Sequence, residues 1–189
     1  AVTASLASDL SNPLALQAIK MVKEYLPASY NGDEAARDKM HVAQCLAGMA
    51  FSNALLGICH SMAHKTGALF GIPHGCANGI YLPYIIAFNR KNAEGQYAEI
   101  ARYIGLEGDT DKALCDAYIE YIKELNKQLE IPATLKAYGV DEEEFKAKVG
   151  TIAANAAKDA CTFSNPRETT AEDLQKLFTA AYYGTEVDF

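Results

Sequence analysis

Apolar residues recur at spacings of three and four along most of this chain, and no stretch alternates apolar with polar residues. In the first block, residues 13–26, a stripe at these spacings consists of Leu14, Ala15, Ala18, Ile19, Val22, Tyr25 and Leu26. Only a helix brings such positions onto one face, whereas a half-buried strand would alternate. The pattern therefore predicts an all-α fold, with residues 1–189 forming a single helical bundle.

Breakers and small residues predict where helices end and how they pack. Pro27 is expected to stop the first helix, because a proline inside a helix has no N–H to donate. A second helix is expected from Asp33 to Gly57, and its face of alanines predicts close packing in the middle of the bundle. Further helices are expected over 96–104, 111–129, 142–159 and 171–183, the last two with capping boxes at Asp141–Glu144 and Thr169–Glu172.

The charge balance limits the partners of the chain. It has 17 Lys and Arg against 24 Asp and Glu, a net charge of −7, which repels phosphate backbones and anionic membrane surfaces. No apolar run approaches the roughly 18 to 20 residues of a membrane-spanning helix, and the first residues lack a signal-peptide pattern. The five cysteines have no CxxC spacing, which favours reduced thiols. We therefore expect a cytoplasmic protein that binds neither nucleic acid nor membrane.

Three of the four histidines lie in one short segment. His60 and His64 are four residues apart, so on a helix both imidazoles project from the same face. His74 lies in a glycine-rich turn, Gly71-Ile72-Pro73-His74-Gly75, that can return it toward the other two. Imidazole suits Fe, Zn, Cu or Ni. The segment is thus a candidate divalent-metal site, and spacing alone favours His60 and His64 as its ligands. The alternative is that these are ordinary core or surface histidines without a metal. His41, among polar residues, is expected to be solvated.

The same segment carries a longer pattern, which consists of His60-Ser-Met-Ala-His64, Gly67, Pro73-His74-Gly75, Asn78, Leu82-Pro83 and Asn89. With this spacing it resembles the long second signature of the iron-containing, group III alcohol dehydrogenases. The similarity extends over nearly the whole chain, through NPLALQAIKMV, LAGMAFSNALLG, IPATLKAYGV and CTFSNPRETTAEDLQKLFTAAYYG. The chain looks closest to stand-alone members and to the alcohol dehydrogenase domain of bifunctional aldehyde-alcohol dehydrogenases.

The resemblance implies the C-terminal helical, metal-binding domain of such an enzyme, with a dehydroquinate synthase-like fold. The full enzyme would transfer hydride reversibly between NAD(P)H and a small aldehyde or ketone, with Fe2+ as Lewis acid. In the family an N-terminal α/β domain binds the nucleotide, and this chain has no glycine-rich turn between a strand and a helix that could hold pyrophosphate. Two more ligands, spaced DxxxH, would precede the position matching Ala1. The chain on its own is therefore expected to be inactive.

Matched residue by residue, the resemblance assigns His60 and His74 as metal ligands. His64 matches a histidine that faces substrate and nicotinamide without binding the ion, and a neutral His64 would relay the proton. This assignment differs from the pair that spacing favours. Phe51 and Cys161 match positions near the substrate pocket, and residues 165–167 match a turn that we interpret as structural.

Two other functions remain open from the sequence. One is a Zn2+-dependent relative similar to glycerol dehydrogenase, since histidine and carboxylate ligands serve zinc as well as iron. The other is a non-catalytic helical module for binding or assembly, because a long alanine-rich face would be exposed without the nucleotide-binding domain. In every case we expect a homo-oligomer, with a small alcohol or aldehyde as substrate if the chain serves an enzyme.

Overall fold

A computed structural model describes residues 1–189. It contains eight α-helices, a short 3₁₀ turn at Thr162–Ser164 and no β-strand, so the all-α prediction is confirmed. The helices are α1 (Asn12–Tyr30), α2 (Glu34–Ala54), α3 (Ile58–Phe70), α4 (His74–Tyr103), α5 (Asp111–Gln128), α6 (Leu135–Tyr138), α7 (Glu142–Ala157) and α8 (Ala171–Tyr183). No single helix is both long and apolar enough to cross a membrane; only α2 and α3 together have the length and composition, and they meet at a bend of 110°.

Pro27 does not stop the first helix, contrary to the prediction. Helix α1 continues for three residues beyond it, to Tyr30. The Pro27 carbonyl accepts hydrogen bonds from the backbone N and the side-chain Nδ2 of Asn31, at 3.1 and 2.8 Å. The proline removes only its own N–H from the helix, and a last turn held by Asn31 follows it. The helix therefore ends about one turn after the proline that was expected to stop it.

Helix α2 lies at the surface of the bundle, so its predicted place in the middle is wrong. It begins after Asp33, whose carboxylate accepts from the Ala36 N at 2.8 Å, and it ends at Ala54 rather than at Gly57. Its fully buried positions are all alanines, on the side that packs along α1, while Val42 and Met49 are half exposed. Small side chains allow close approach on one face, but they do not specify how many neighbours a helix has.

The last helix has its predicted bounds, but its capping box is Thr170–Asp173 instead of Thr169–Glu172. Thr170 Oγ1 accepts from the Asp173 N at 3.1 Å, and Asp173 Oδ2 accepts from the Thr170 N at 3.0 Å. Thr169 is occupied elsewhere, because its hydroxyl donates to the Arg167 carbonyl at 2.8 Å. At α7 only half of the predicted capping box forms, because Asp141 accepts from the Glu144 N at 2.9 Å while the Glu144 side chain does not accept from the Asp141 N.

Helix α4 joins two groups of buried side chains. Its amino half packs with α3, α6, α7 and α8 in what we call the α7–α8 core, which includes Tyr81, Phe145 and Phe178. Its carboxyl half packs with α1 and α5 in the α1–α5 core, which includes Tyr97 and Ile122. A non-helical residue, Ala93 (φ −136°, ψ 21°), marks a kink in the carboxyl half. The helix expected over 96–104 is thus the end of a longer one.

Candidate functional site

The turn between α3 and α4 places the third histidine. Gly71 ends α3 in the left-handed conformation (φ +65°), which favours glycine. Ile72 is buried beneath the turn, and its carbonyl passes so close to α3 that a Cβ on Gly67 would lie 3.1 Å from it. Pro73 follows in extended conformation, and α4 starts at His74. The chain therefore folds back on α3 within three residues and begins the next helix with an imidazole.

Three imidazoles meet at this corner of the molecule. The ring centroids of His60 and His74 are 5.1 Å apart, those of His64 and His74 are 5.5 Å apart, and those of His60 and His64 are 6.2 Å apart. One ring nitrogen from each histidine lies within 4.8 Å of the others. The predicted convergence of the three histidines is confirmed. His41, in contrast, is exposed on α2, as expected.

The chemistry of these donors fits a divalent metal ion. Burial, together with the neighbouring His74 and His64, lowers the pKa of His60 to about 4. His60 is therefore neutral at pH 7, which is the form that binds a metal. Imidazole nitrogens are suitable ligands for iron and zinc. The cluster can supply two or three nitrogen ligands to one ion.

Asn78 supports the ring of His74 from one helical turn further along α4. Its Nδ2 lies 3.1 Å from His74 Nε2 and 3.0 Å from the His74 carbonyl. Its Oδ1 is buried without a hydrogen-bond partner. A polar side chain in such a position restrains the orientation of the imidazole beside it. The sequence pattern includes Asn78, but only the structure shows what it contacts.

A carboxylate that the sequence did not indicate lies beside His64. Asp159 Oδ2 is 3.1 Å from His64 Nδ1 and 2.7 Å from Lys65 Nζ, and Asp159 Oδ1 accepts from the Cys161 N at 3.0 Å. Burial raises the pKa of Asp159, but the hydrogen bonds from Lys65, Cys161 and His64 outweigh it and hold the pKa well below its usual range. Asp159 is thus an anion at neutral pH.

Cys161 lies beside His64 and Asp159, because its Sγ and one donor atom from each of them are within 4.8 Å of one another. Burial raises the pKa of the Cys161 thiol, and the Asp159 charge raises it further. Burial also raises the pKa of Cys59, to about 12. Both thiols are therefore protonated at neutral pH, and neither is an activated nucleophile.

An apolar cavity of about 480 Å³ lies between α1, α4 and α5 and extends to His60. Phe51 lines it from the end of α2, whereas Cys161 does not. His64 and His74 also lie outside it and are exposed. Of the three imidazoles, only that of His60 therefore borders this cavity. His60 is in the first turn of α3, which points inward, and the next turn brings His64 to the surface.

The turn after Cys161 ties α3 to α4. Asn165 Oδ1 accepts from the Ile58 N at 3.4 Å and from Asn89 Nδ2 at 3.0 Å, and Asn165 Nδ2 donates to Asn89 Oδ1 at 2.8 Å. A Cβ on Gly57 would lie 3.0 Å from Asn165 Oδ1, so glycine permits this approach. Arg167 donates to the Phe88 carbonyl at 2.8 Å and lies 3.7 Å above the Phe88 ring. These contacts fix the first turn of α3, which carries His60.

Comparison with known proteins identifies the family. The family model for the C-terminal part of the Fe-containing alcohol dehydrogenases matches residues 1–182. The chain belongs to this family. The resemblance read from the histidine segment is therefore confirmed.

Two curated relatives show how much of a longer protein this chain represents. It is 60% identical to the NADPH-dependent butanol dehydrogenase of Clostridium saccharobutylicum, over all of this chain and 49% of the relative. It is 39% identical to the bifunctional aldehyde-alcohol dehydrogenase AdhE of Escherichia coli K12, over 96% of this chain and 23% of the relative. The chain thus spans about half the length of the first relative and about a quarter of the second.

Solved structures share the same arrangement of helices. The iron-containing alcohol dehydrogenase of Thermococcus thioreducens superposes with a TM-score of 0.87 at 40% identity, over 97% of this chain and 47% of that one. A 1,3-propanediol oxidoreductase superposes with a TM-score of 0.89 at 32% identity, over 95% and 47%. The helical fold is therefore the one found in about half of each of these two chains.

Proposed function

We propose that this chain is the metal-binding part of an NAD(P)H-dependent alcohol dehydrogenase that interconverts small alcohols with aldehydes or ketones. The convergence of His60, His64 and His74 carries the proposal, since imidazole nitrogens within 4.8 Å of one another suit a divalent metal. Membership of the iron-containing family supports Fe2+ as that metal. The 60% identity to an NADPH-dependent butanol dehydrogenase supports NADPH and a short straight-chain aldehyde.

The three histidines would have two roles. His60 and His74 would hold the ion, which when bound supplies Lewis acidity to the substrate carbonyl. The neutral form of His60 leaves a ring nitrogen free to bind the ion, and Asn78 restrains the position of the His74 ring. His64 would exchange the proton of the alcohol with solvent, because it is exposed and an imidazole both accepts and donates protons near neutrality.

The nicotinamide would be bound outside these residues. The chain has no β-strand, and dinucleotides are commonly held at the carboxyl ends of parallel strands. The butanol dehydrogenase relative is about twice as long as this chain. We therefore propose that residues 1–189 form one helical domain that acts with a separate nucleotide-binding α/β domain, and that the 189 residues alone do not turn over.

A hybrid enzyme tests the proposal. In the C. saccharobutylicum butanol dehydrogenase, the half that matches this chain is replaced by residues 1–189. The protein is purified anaerobically, its iron and zinc contents are determined, and NADPH-dependent reduction of butyraldehyde is followed by nicotinamide absorbance. We expect His60→Ala and His74→Ala to lose metal and activity together. His64→Ala should retain metal and lose about 10²- to 10⁴-fold in rate, as expected for a general acid or base.

His41→Ala is the matched control, since it removes an exposed imidazole on α2 and should leave metal content and rate unchanged. Equal loss of metal in all three cluster variants would instead favour His60 and His64 as a ligand pair. A folded, metal-loaded hybrid without activity would contradict the proposed function. A hybrid that is active only with zinc would support the glycerol dehydrogenase-like alternative.

A further inference from the structure

The carboxylate of Asp159 has three partners and no role in binding the proposed metal. It lies two residues beyond the end of α7, with a side chain only 11% exposed. Donors from two parts of the chain converge on it: His64 Nδ1 and Lys65 Nζ from α3, and the backbone N of Cys161 from the following turn. An ionised carboxylate only accepts hydrogen bonds. The nitrogen of His64 that faces it must therefore carry a hydrogen.

The stability of α7 does not account for this position. The carboxyl end of a helix carries partial negative charge, so an anion near it is unfavourable. Partial burial of a charge is also unfavourable unless it is paired. The side-chain partners of Asp159 come from α3, where the ammonium of Lys65 offsets the negative charge and His64 lies within hydrogen-bond distance of the same carboxylate oxygen. The placement of Asp159 is thus explained by its contacts with α3.

We propose that Asp159 is a positioning residue for His64, which holds the imidazole as the Nδ1–H tautomer and leaves the lone pair of Nε2 free. The inference rests on the proposed function, in which His64 exchanges a proton with the alcohol. During reduction of the aldehyde, hydride from NADPH would add to the carbonyl carbon, and the carbonyl oxygen would take the Nε2 proton of His64 in its imidazolium form. This leaves the neutral Nδ1–H tautomer, and solvent then returns a proton to Nε2. In oxidation Nε2 takes the hydroxyl proton. Asp159 accepts the hydrogen bond from Nδ1 throughout and stays ionised.

The first test reads the tautomer directly. In the ¹⁵N-labelled, metal-free 189-residue chain at pH 8, long-range ¹H–¹⁵N correlations of the His64 ring distinguish a protonated from an unprotonated nitrogen. We expect Nδ1 to be protonated and Nε2 to be unprotonated. Asp159→Ser should convert His64 to the Nε2–H form, because the serine hydroxyl is too short to reach the ring but still accepts from the Cys161 N in a local turn.

Lys65→Gln is the matched control in this test, since it removes the other donor to the same oxygen and leaves the contact between Asp159 and His64. The tautomer of His64 should not change in this variant. An Nε2–H tautomer in the unmodified chain overturns the proposal without any variant. An Nδ1–H tautomer that persists in Asp159→Ser overturns it as well.

The second test separates positioning from structure in the hybrid enzyme. Asp159→Ser should lower kcat for butyraldehyde by about 10- to 100-fold, the usual effect of removing a partner that orients a site histidine, with KM and metal content unchanged. Asp116→Asn removes a carboxylate of α5 that pairs with Arg90 of α4. This variant should leave kcat, KM and metal content unchanged. Loss of metal together with kcat in Asp159→Ser would overturn the positioning role. If the unmodified hybrid is inactive, the proposed function is refuted, and so is the role of His64 in proton exchange. The tautomer measurement would still show whether Asp159 positions the His64 ring.

Discussion

The two cores that meet on α4 are packed differently. In the α7–α8 core, Tyr81 and Phe178 are completely buried, with their rings edge to face at 5.7 Å. The α1–α5 core instead borders the apolar cavity of about 480 Å³, although protein interiors usually leave few voids larger than a water molecule. His60, His64 and His74 lie on α3 and α4, two helices of the closely packed α7–α8 core. The packed core therefore fixes the positions of the candidate ligands, while the cavity leaves space beside His60.

A matched pair of leucines should show this difference with the largest effect. Leu174 on α8 is completely buried in the α7–α8 core, whereas Leu125 on α5 lines the cavity. We expect Leu174→Ala to lower the free energy of unfolding by about 4 kcal/mol, near the upper part of the range for buried leucines. Leu125→Ala should lose only about 2 kcal/mol, because a side chain that faces open space has fewer packing contacts to lose. Urea unfolding of both variants measures the difference, and equal losses would show that the two cores are packed alike.

The buried amide of Asn165, which joins the first turn of α3 to α4, should give the next largest effect. Asn165→Ala leaves the amide of Asn89 and the N–H of Ile58 without their partner, so we expect a loss of about 2 to 3 kcal/mol. Asn53→Ala is the control, since the exposed Asn53 side chain donates only to the Met49 carbonyl within α2. That variant should change stability by less than about 0.5 kcal/mol. Similar losses of stability in the two variants would contradict the view that the buried amide pair holds α3 and α4 together.

Loss of the caps of α5 and α8 should have the smallest effects on the free energy of unfolding. These effects should be similar at the two helices, although α5 and α8 belong to differently packed cores. Thr110 caps α5, accepting from the Ala113 N at 3.1 Å, and Thr170 caps α8. Both caps are exposed to solvent, so Thr110→Ala and Thr170→Ala should each lose about 1 kcal/mol. Thermal unfolding of the two variants is the measurement. A much larger loss at Thr170 would mean that packing of the α7–α8 core also controls its helix ends.

Local signals in the sequence predicted most of the helices. The bounds of α5 and α8 match within one residue, since each has a cap and an apolar stripe that belong to the same segment. The signals failed where the outcome depends on distant neighbours. The small residues of α2 did not show that one side stays exposed, and Pro27 did not show that Asn31 would complete another turn.

The candidate site divides in the same way. The spacing of His60 and His64 and the turn before His74 are local, so the sequence alone predicted that the three imidazoles meet. Asp159 is 95 positions away from His64 and in the sequence appears only as the end of a helix. Its role depends on how α7 packs against α3, which a periodic pattern does not specify.

The central claim is that His60, His64 and His74 form one divalent-metal centre, and paramagnetic NMR tests it most directly. The 189 residues supply only two of the four ligands that the family resemblance implies, so weak binding is expected. Co2+ is therefore added in excess to the ¹⁵N-labelled 189-residue chain, and the ring signals of the four histidines are followed. We expect the largest shifts and broadening for the ring signals of His60 and His74, a smaller effect on His64 and no effect on His41. Shifts at His41 as large as those in the cluster, or a cluster that does not respond to Co2+, would contradict the account.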